Sequence, residues 1–463
     1  MEIQESRKLE LLNSYGGFDH IVENYSNTVF FEINDELEKK YKFFKEKFIF
    51  LKSLEIPKNI DIGGQNLEFS ESEYKIIASK IEILEEKKFK ILSKMKEYDY
   101  MIEKFEPLLK GDYGDLGNRF GSIEQLSSIK LEGLFAGEFD LGNILQVKQK
   151  NPGYFKSYSF AVEDLLNTSI PINKSDLLRI HSKLLTNPKN NKTFAEQGDV
   201  GKIVDFQTFR ITKETGNDEK DKANITFVGP KKEDIANLLD DYLEFYNNNY
   251  QRIHPIIFAS ILMIQMSIIH PFGDGNSRMS RLVAGWSLRK MDYSQVPIIS
   301  YIFSKNKNKH EKKLREIRLD IINKISINTK AGSDERFEFI GNEKNVYYSI
   351  DYNNWINYFI ESYTDGLDFI YNSIIKFIFN LRSKDFINSN FGNDTKYKHI
   401  NSEQIQEIYN RIIENFVETG EIIEPKGYIH KLKRNSNEEN QQKIDNIIEE
   451  IKKHFISLII KYA

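Results

Sequence analysis

Apolar residues recur at helical spacing along most of the chain, and the pattern changes in only a few short stretches. Leu37, Tyr41, Phe44, Phe48 and Leu51 share one face. From Tyr74 to Glu97, Ile76, Ile77, Ile81, Leu84, Phe89 and Leu92 form the inner side of a charged helix. Ile235, Leu238, Leu239, Tyr242 and Leu243 mark another amphipathic helix. Ile256 to Ile269 differs, being apolar except at Ser260, Gln265 and Ser267, which predicts a helix buried on every side. Helical spacing resumes with Met279, Leu282, Val283, Trp286 and Leu288, and later over 403–417 and 443–462. Between Gly201 and Pro230 the period shortens to two around a Gly/Asp/Lys-rich centre, Glu214 to Ala223. That predicts a hairpin with Ile203, Phe206, Phe209 and Ile211 on one limb and Ile225, Phe227 and Val228 on the other. Asp61-Ile62-Gly63-Gly64 and the polar patch Asn328 to Asn345 are expected to be loops. Gly420 to His430 is expected to belong to a plain helical extension, with a hairpin as the alternative. The fold class expected is all-α with one small β-hairpin.

Bulk properties narrow the picture without defining it. A chain of 463 residues has room for about three domain-sized units. A net charge of −4 gives no general pull toward nucleic acid. There are no cysteines, which excludes disulfides and thiolate chemistry and agrees with a reducing compartment. Met1 to Lys8 carries mixed charge and no apolar core, so no secretory signal is expected. The apolar run before His270 is shorter than the roughly 18–20 residues of a membrane span. A soluble, cytoplasmic protein that does not enter membranes is the expectation.

The chemistry concentrates in His270-Pro271-Phe272-Gly273-Asp274-Gly275-Asn276-Ser277-Arg278-Met279-Ser280-Arg281. His270 ends the buried helix, and Asn276 or Ser277 is expected to cap the next. Backbone N–H groups at a helix start, with Gly273 and Gly275 allowing close approach, make an anion site. Arg278 and Arg281 add fixed positive charge suited to phosphate oxygens. Asp274 offers oxygen ligands to a hard cation such as Mg²⁺. His270 is the nearby group that can take a proton near neutral pH. The remaining histidines, His181 among them, show no ligand-like spacing and are expected to be packing or capping residues.

This run resembles the signature of the Fic (filamentation-induced-by-cAMP) family, His-x-Phe-x-Asp/Glu-Gly-Asn-x-Arg-x-x-Arg, at all seven fixed positions. Ser277 stands where most relatives have glycine. Upstream, Ser127-Ser128-Ile129-Lys130-Leu131-Glu132-Gly133 resembles the family's inhibitory motif, Ser/Thr-x-x-x-Glu-Gly/Asn, here Ser128, Glu132 and Gly133. The helix opening at Ser175 resembles the one preceding the family's target flap. The flap usually starts Gly-x-x-Arg, whereas this chain has Gly201-Lys202-Ile203-Val204. Residues 298–303 and 314–318 resemble the helices that close a Fic core. The resemblance covers a Fic core over 119–380, and helical spacing predicts a helical region over 1–118 before it and a helical extension over 381–463 after it. Some relatives carry a winged helix in that last position.

The resemblance further implies a protein adenylyltransferase that moves AMP from ATP, with Mg²⁺, onto a Ser, Thr or Tyr hydroxyl of a target protein docked at the flap 201–230. His270 would be the base and Asp274 the Mg²⁺ ligand. Gly273, Gly275, Asn276, Ser277, Arg278 and Arg281 would bind the nucleotide, and Glu132 would pair with Arg281 in the space of the γ-phosphate. Transfer of another nucleotide, removal of AMP, or a quiescent core with a DNA-binding tail remain alternatives. Self-modification and homo-oligomers are compatible with it.

Overall fold

The computed structural model describes residues 56–105, 116–133, 144, 152–188, 190, 192–195, 200–291, 298–329, 337–391, 401–419, 421–434 and 437–462. The expected helix at Leu37–Leu51 lies outside them. In chain order the helices are α1 (Glu71–Phe105), α2 (Leu116–Leu131), α3 (Pro152–Asn167), α4 (Lys174–Leu185), α5 (Asp218–Ala223), α6 (Lys232–Asn249), α7 (Pro255–Ile269), α8 (Asn276–Lys290), α9 (Ile299–Lys305), α10 (Lys307–Ile322), α11 (Tyr352–Phe391), α12 (Ser402–Thr419), α13 (Lys426–Arg434) and α14 (Glu438–Tyr462). Three antiparallel two-stranded sheets accompany them, β1 (Asn59–Ile62) with β2 (Gln65–Glu68), β3 (Phe209–Ile211) with β4 (Ile225–Val228), and β5 (Ser326–Thr329) with β6 (Phe337–Ile340). The fold is thus mainly helical, as expected.

Two units emerge. One comprises Lys47–Glu85 and Gly114–Gly366, the other Met1–Glu46, Glu86–Tyr113 and Leu367–Ala463. The larger is organised on α7, whose every residue is buried. Pro255 at its first turn suits a position where no N–H is needed. Helices α6 and α8 pack against α7, α3 packs against α4, α8 and α2, and α2 also packs against α9. Trp286 of α8 and Tyr158 of α3 are fully buried in this core. In the smaller unit α12 buries Ile405, Ile408, Tyr409, Ile412 and Ile413 and packs on α14, which buries Ile447, Ile451 and Phe455.

Several local expectations are corrected. Asp61 to Gly64 is the turn of the β1–β2 hairpin, with Gly63 and Gly64 at φ +60° and +77°. Ile60 and Ile62 alternate inward from polar neighbours, the period of a strand. Ile76 is 50% exposed, whereas Ile77, Ile81 and Leu84 are buried. The patch 328–345 holds part of the β5–β6 pair. Residues 426–434 form α13, in line with the helical extension rather than the alternative hairpin, and Tyr428 and Ile429 N–H groups donate to the Pro425 carbonyl at its start. A proline has the φ of a first helical turn and no N–H for a ladder. Asn173, not Ser175, caps α4, in a reciprocal pairing with Asp176.

Candidate functional site

His270 terminates α7 in the left-handed region, at φ 51° and ψ 53°, with its N–H on the Met266 carbonyl. A non-glycine residue there is uncommon and turns the chain sharply out of the core. The imidazole is 6% exposed. Its Nδ1 lies 3.3 Å from the Ser267 carbonyl, which favours a proton on Nδ1 and leaves Nε2 as the acceptor. Burial, and then Arg210 and Arg318, lower its pKa to about 3, so the ring is neutral near pH 7.

The loop after His270 is closed by its own side chains. Phe272 N–H donates to Asn276 Oδ1 (3.0 Å), and Asn276 Nδ2 donates to the Phe272 carbonyl (2.6 Å). Asn276, expected among the nucleotide ligands, thus also holds the loop together. The cap of α8 is Gly275 at φ 78°, rather than Asn276 or Ser277. A Cβ on Gly275 would also meet Leu185 Cδ1 at 2.9 Å, so glycine is required twice over. Asp274 Oδ1 accepts from Gly275 N–H (2.5 Å) and Arg278 Nη2 (3.3 Å). The Asp274 side chain keeps 24% exposure while Arg278 keeps only 6%. Buried Arg278 Nε has no hydrogen-bond partner among the described residues. A buried, incompletely paired guanidinium beside a helix start suits an incoming anion. Gly273 and Ser277 are half-buried beside it.

Arg281, one turn further along α8, is 3% exposed and already occupied. Its Nη2 donates to Glu132 Oε1 (2.7 Å) and the Ser128 carbonyl (3.1 Å), and Nε donates to Ser128 Oγ (3.1 Å). Gly133, at φ +75°, stops α2 just beyond Glu132. Upstream on the same helix, buried Glu124 accepts the N–H groups of Ser300 (2.8 Å) and Tyr301 (3.2 Å) at the start of α9. Burial raises its pKa and these bonds oppose that. Glu124, Ser128 and Glu132 recur every four residues, a stripe that binds α2 to α9 and to Arg281.

His181 is, with Glu124, a residue that sequence reasoning missed. Its Nε2 donates to the Asp274 carbonyl (2.9 Å), and its Nδ1 accepts Gly201 N–H (2.9 Å). Its ring stacks on Phe272 at 3.8 Å with planes 6° apart. One imidazole therefore ties the metal-ligand candidate to the first residue of the flap. Burial, its largest cause, lowers its pKa to about 4, which keeps this tautomer neutral. The available signal was its place on the apolar face of α4 with Leu177, Ile180 and Leu184, where a polar ring needs partners. The flap also joins the loop through Val204 N–H and the Pro271 carbonyl (2.9 Å).

The predicted hairpin forms, with Phe209 opposite Val228 and Arg210 opposite Phe227, and a register shift before Ile211. Its strands are shorter than expected, with Ile203 and Phe206 preceding β3 and α5 set between the limbs. Among the described residues no cluster of three or more His, Asp or Glu side chains could hold a metal. A single carboxylate fits Mg²⁺, which takes most of its ligands from phosphates and water.

Residues 171–288 match the Fic/DOC family. A protein adenylyltransferase Fic of Drosophila willistoni is 33% identical over 82 residues, 17% of this chain and 16% of that protein. The chain thus aligns with about a sixth of that relative's length. Two solved structures are also similar. One is a Fic domain containing signaling protein from Bacteroides thetaiotaomicron, with TM-score 0.39, 16% identity, 61% of this chain and 97% of that one. The other is IbpAFic2 covalently tethered to Cdc42, with TM-score 0.36, 13% identity, 79% of this chain and 94% of that one.

Proposed function

We propose that this chain, which contains a Fic/DOC family domain distantly homologous to Fic protein adenylyltransferases, transfers AMP from ATP to a hydroxyl of a target protein and is held back by Glu132. The observation that carries the reading is the convergence of His270, Asp274 and Arg278 on one buried loop at the start of α8.

His270 Nε2 takes the proton as the hydroxyl oxygen bonds to the α-phosphorus and the bond to the β-phosphate oxygen breaks, releasing pyrophosphate. A neutral ring at physiological pH is ready for that step. Asp274 would hold Mg²⁺, which when bound draws charge from the α- and β-phosphates. The start of α8, with Gly273, Gly275, Asn276 and Ser277, faces the phosphates, and Arg278 supports the leaving β-phosphate. Gly275 N–H now donates to Asp274, so a phosphate oxygen would take it over as that carboxylate turns to the metal.

Arg281 can serve a carboxylate or a phosphate through the same planar fork. With Glu132 at 2.7 Å it serves the carboxylate, which favours slow transfer by the unaltered protein. The flap 201–230, anchored by His181 and Val204, would register the target, and the protein itself is a candidate substrate. The test uses ATP labelled at the α- or γ-phosphate, with Mg²⁺ and a cell lysate. Protein should acquire α-label only, and His270→Ala should abolish it. Equal labelling by His270→Ala would remove His270 from the mechanism, and γ-label on protein would reassign the transferred group.

A further inference from the structure

Two cations beside His270 have no part in the chemistry above. Arg210 lies on β3 of the flap and Arg318 on α10. Phe227 of β4 joins them: it stands opposite Arg210 in the β3–β4 register, and its ring is 5.1 Å from the His270 ring. The Arg318 guanidinium sits over that same ring, 5.3 Å from its centre. Arg318 Nε is buried and has no hydrogen-bond partner among the described residues. Burial and Arg210 lower the pKa of Arg318 to about 10, so the two guanidiniums feel one another.

Three other arginines of this unit, two of them in the loop after His270, are matched by carboxylates. Arg179 has Asp164 and Asp176, Arg278 has Asp274, and Arg281 has Glu132. Neither Arg210 nor Arg318 has a carboxylate within ion-pair distance among the described residues. Desolvating a guanidinium beside a second one is unfavourable, and an anion arriving between them removes that cost. The stacking of Arg318 on Phe227 explains its position but not its unsatisfied Nε, which a methionine would not carry.

The nucleotide is an unsuitable source of that anion, because its phosphates are assigned to the start of α8 and to Arg278 and Arg281. Arg210 instead sits on the strand expected to meet the target. We propose that Arg210 and Arg318 form a carboxylate-reading site that selects target segments with an Asp or Glu close to the accepted hydroxyl. This inference rests on the transfer reading for its substrate class, and its own readout is binding.

The test compares fluorescent peptides that carry Ser, Thr or Tyr flanked by Asp, by Ala or by Lys. Binding is read by anisotropy, and labelling from α-labelled ATP is read in the Glu132→Gly background. The Asp-flanked set should exceed the Ala-flanked set at least ~10-fold in both, the size of one charge-assisted hydrogen-bonded pair. Arg210→Met and Arg318→Met should each bring that ratio below about threefold, while Arg318→Lys retains part of it. Exposed Arg210 guards against a folding artefact at Arg318, and thermal unfolding of both variants checks it. Equal binding of Asp and Ala peptides by the parent, or an unchanged ratio in both Met variants, overturns the site. So does a loss of ATP affinity in Arg318→Met with no change in that ratio, which would return the arginine to the nucleotide. Asp-selective binding with no label transfer would keep this site and remove the transfer reading. Label transfer without Asp selectivity would do the reverse.

Discussion

The loop 270–281 and the flap 201–230 share a backbone hydrogen bond, Val204 to Pro271, yet they are built in opposite ways. In the loop, His270, Phe272, Asn276, Arg278 and Arg281 are buried, and Asn276 closes the turn in both directions. The flap rests on a ladder of three residue pairs and leaves Phe206 and Phe209 more than a third exposed. A loop whose geometry is over-determined suits chemistry, where small displacements are costly. A short hairpin with a buried β4 and an exposed β3 suits recognition by its outer strand. His181 is the joint between the two, because it bonds to Asp274 on one side and Gly201 on the other.

The largest effect that separates the regions is expected at His270. In the Glu132→Gly background, His270→Ala should cut label transfer by about 10²–10⁴-fold, the span of general-base catalysis, without loss of folding. Next comes the joint. His181→Phe preserves the stack on Phe272 but leaves the Asp274 carbonyl and Gly201 N–H unpaired, at about 1–3 kcal/mol for each buried group. Denaturant unfolding should show that loss, and transfer should fall with it. A variant as stable and active as the parent would mean that loop and flap are independent. Gly275→Ala strains φ 78° and crowds Leu185, so it should weaken ATP binding measured by calorimetry while sparing peptide binding at the flap.

A smaller effect concerns pH. The folded pKa of His270 is depressed, so its neutral, proton-accepting form persists well below pH 6. Transfer should therefore show no acid limb with a midpoint near 6.5. Stability follows the same sign. His181, His270 and His310, depressed to about 4, 3 and 3, bind fewer protons folded than unfolded. Their contribution is full above the unfolded pKa near 6.5 and is lost as pH falls toward 4 and 3, at about 1.4 kcal/mol per unit for each. Thermal unfolding between pH 7 and 5 should drop accordingly, and a flat profile would contradict their burial as neutral rings.

Legibility in the sequence followed the same division. Loop residues were readable because seven fixed positions follow one mostly apolar helix, and α7 and α8 appear where that pattern places them. The flap was readable as a hairpin from its alternation, but its shortened strands and the inserted α5 were not. His181 and Glu124 escaped because a single polar residue on a helical face acquires meaning only from what folding brings to it, here Asp274, Gly201 and the start of α9. The β1–β2 hairpin was available in Asn59-Ile60-Asp61-Ile62 followed by Gly63-Gly64, a strand and a two-glycine turn, yet the glycines alone suggested a loop. Asn276 was assigned to the ligand from its position, and the fold gives its amide a second task in the loop.

The central claim is that one site carries both the chemistry and its restraint, so the most direct measurement compares label transfer from α-labelled ATP by the parent, Glu132→Gly and Arg281→Ala. Removing Glu132 frees the guanidinium now held at 2.7 Å, whereas removing Arg281 loses the γ-phosphate contact together with the inhibitory one. Glu132→Gly should label at least ~10-fold faster than the parent, an increase within the range of one charged hydrogen-bonded contact, and Arg281→Ala should not share that gain. Equal rates for the parent and Glu132→Gly would contradict the restraint, and no labelling by any of the three would contradict the transfer itself.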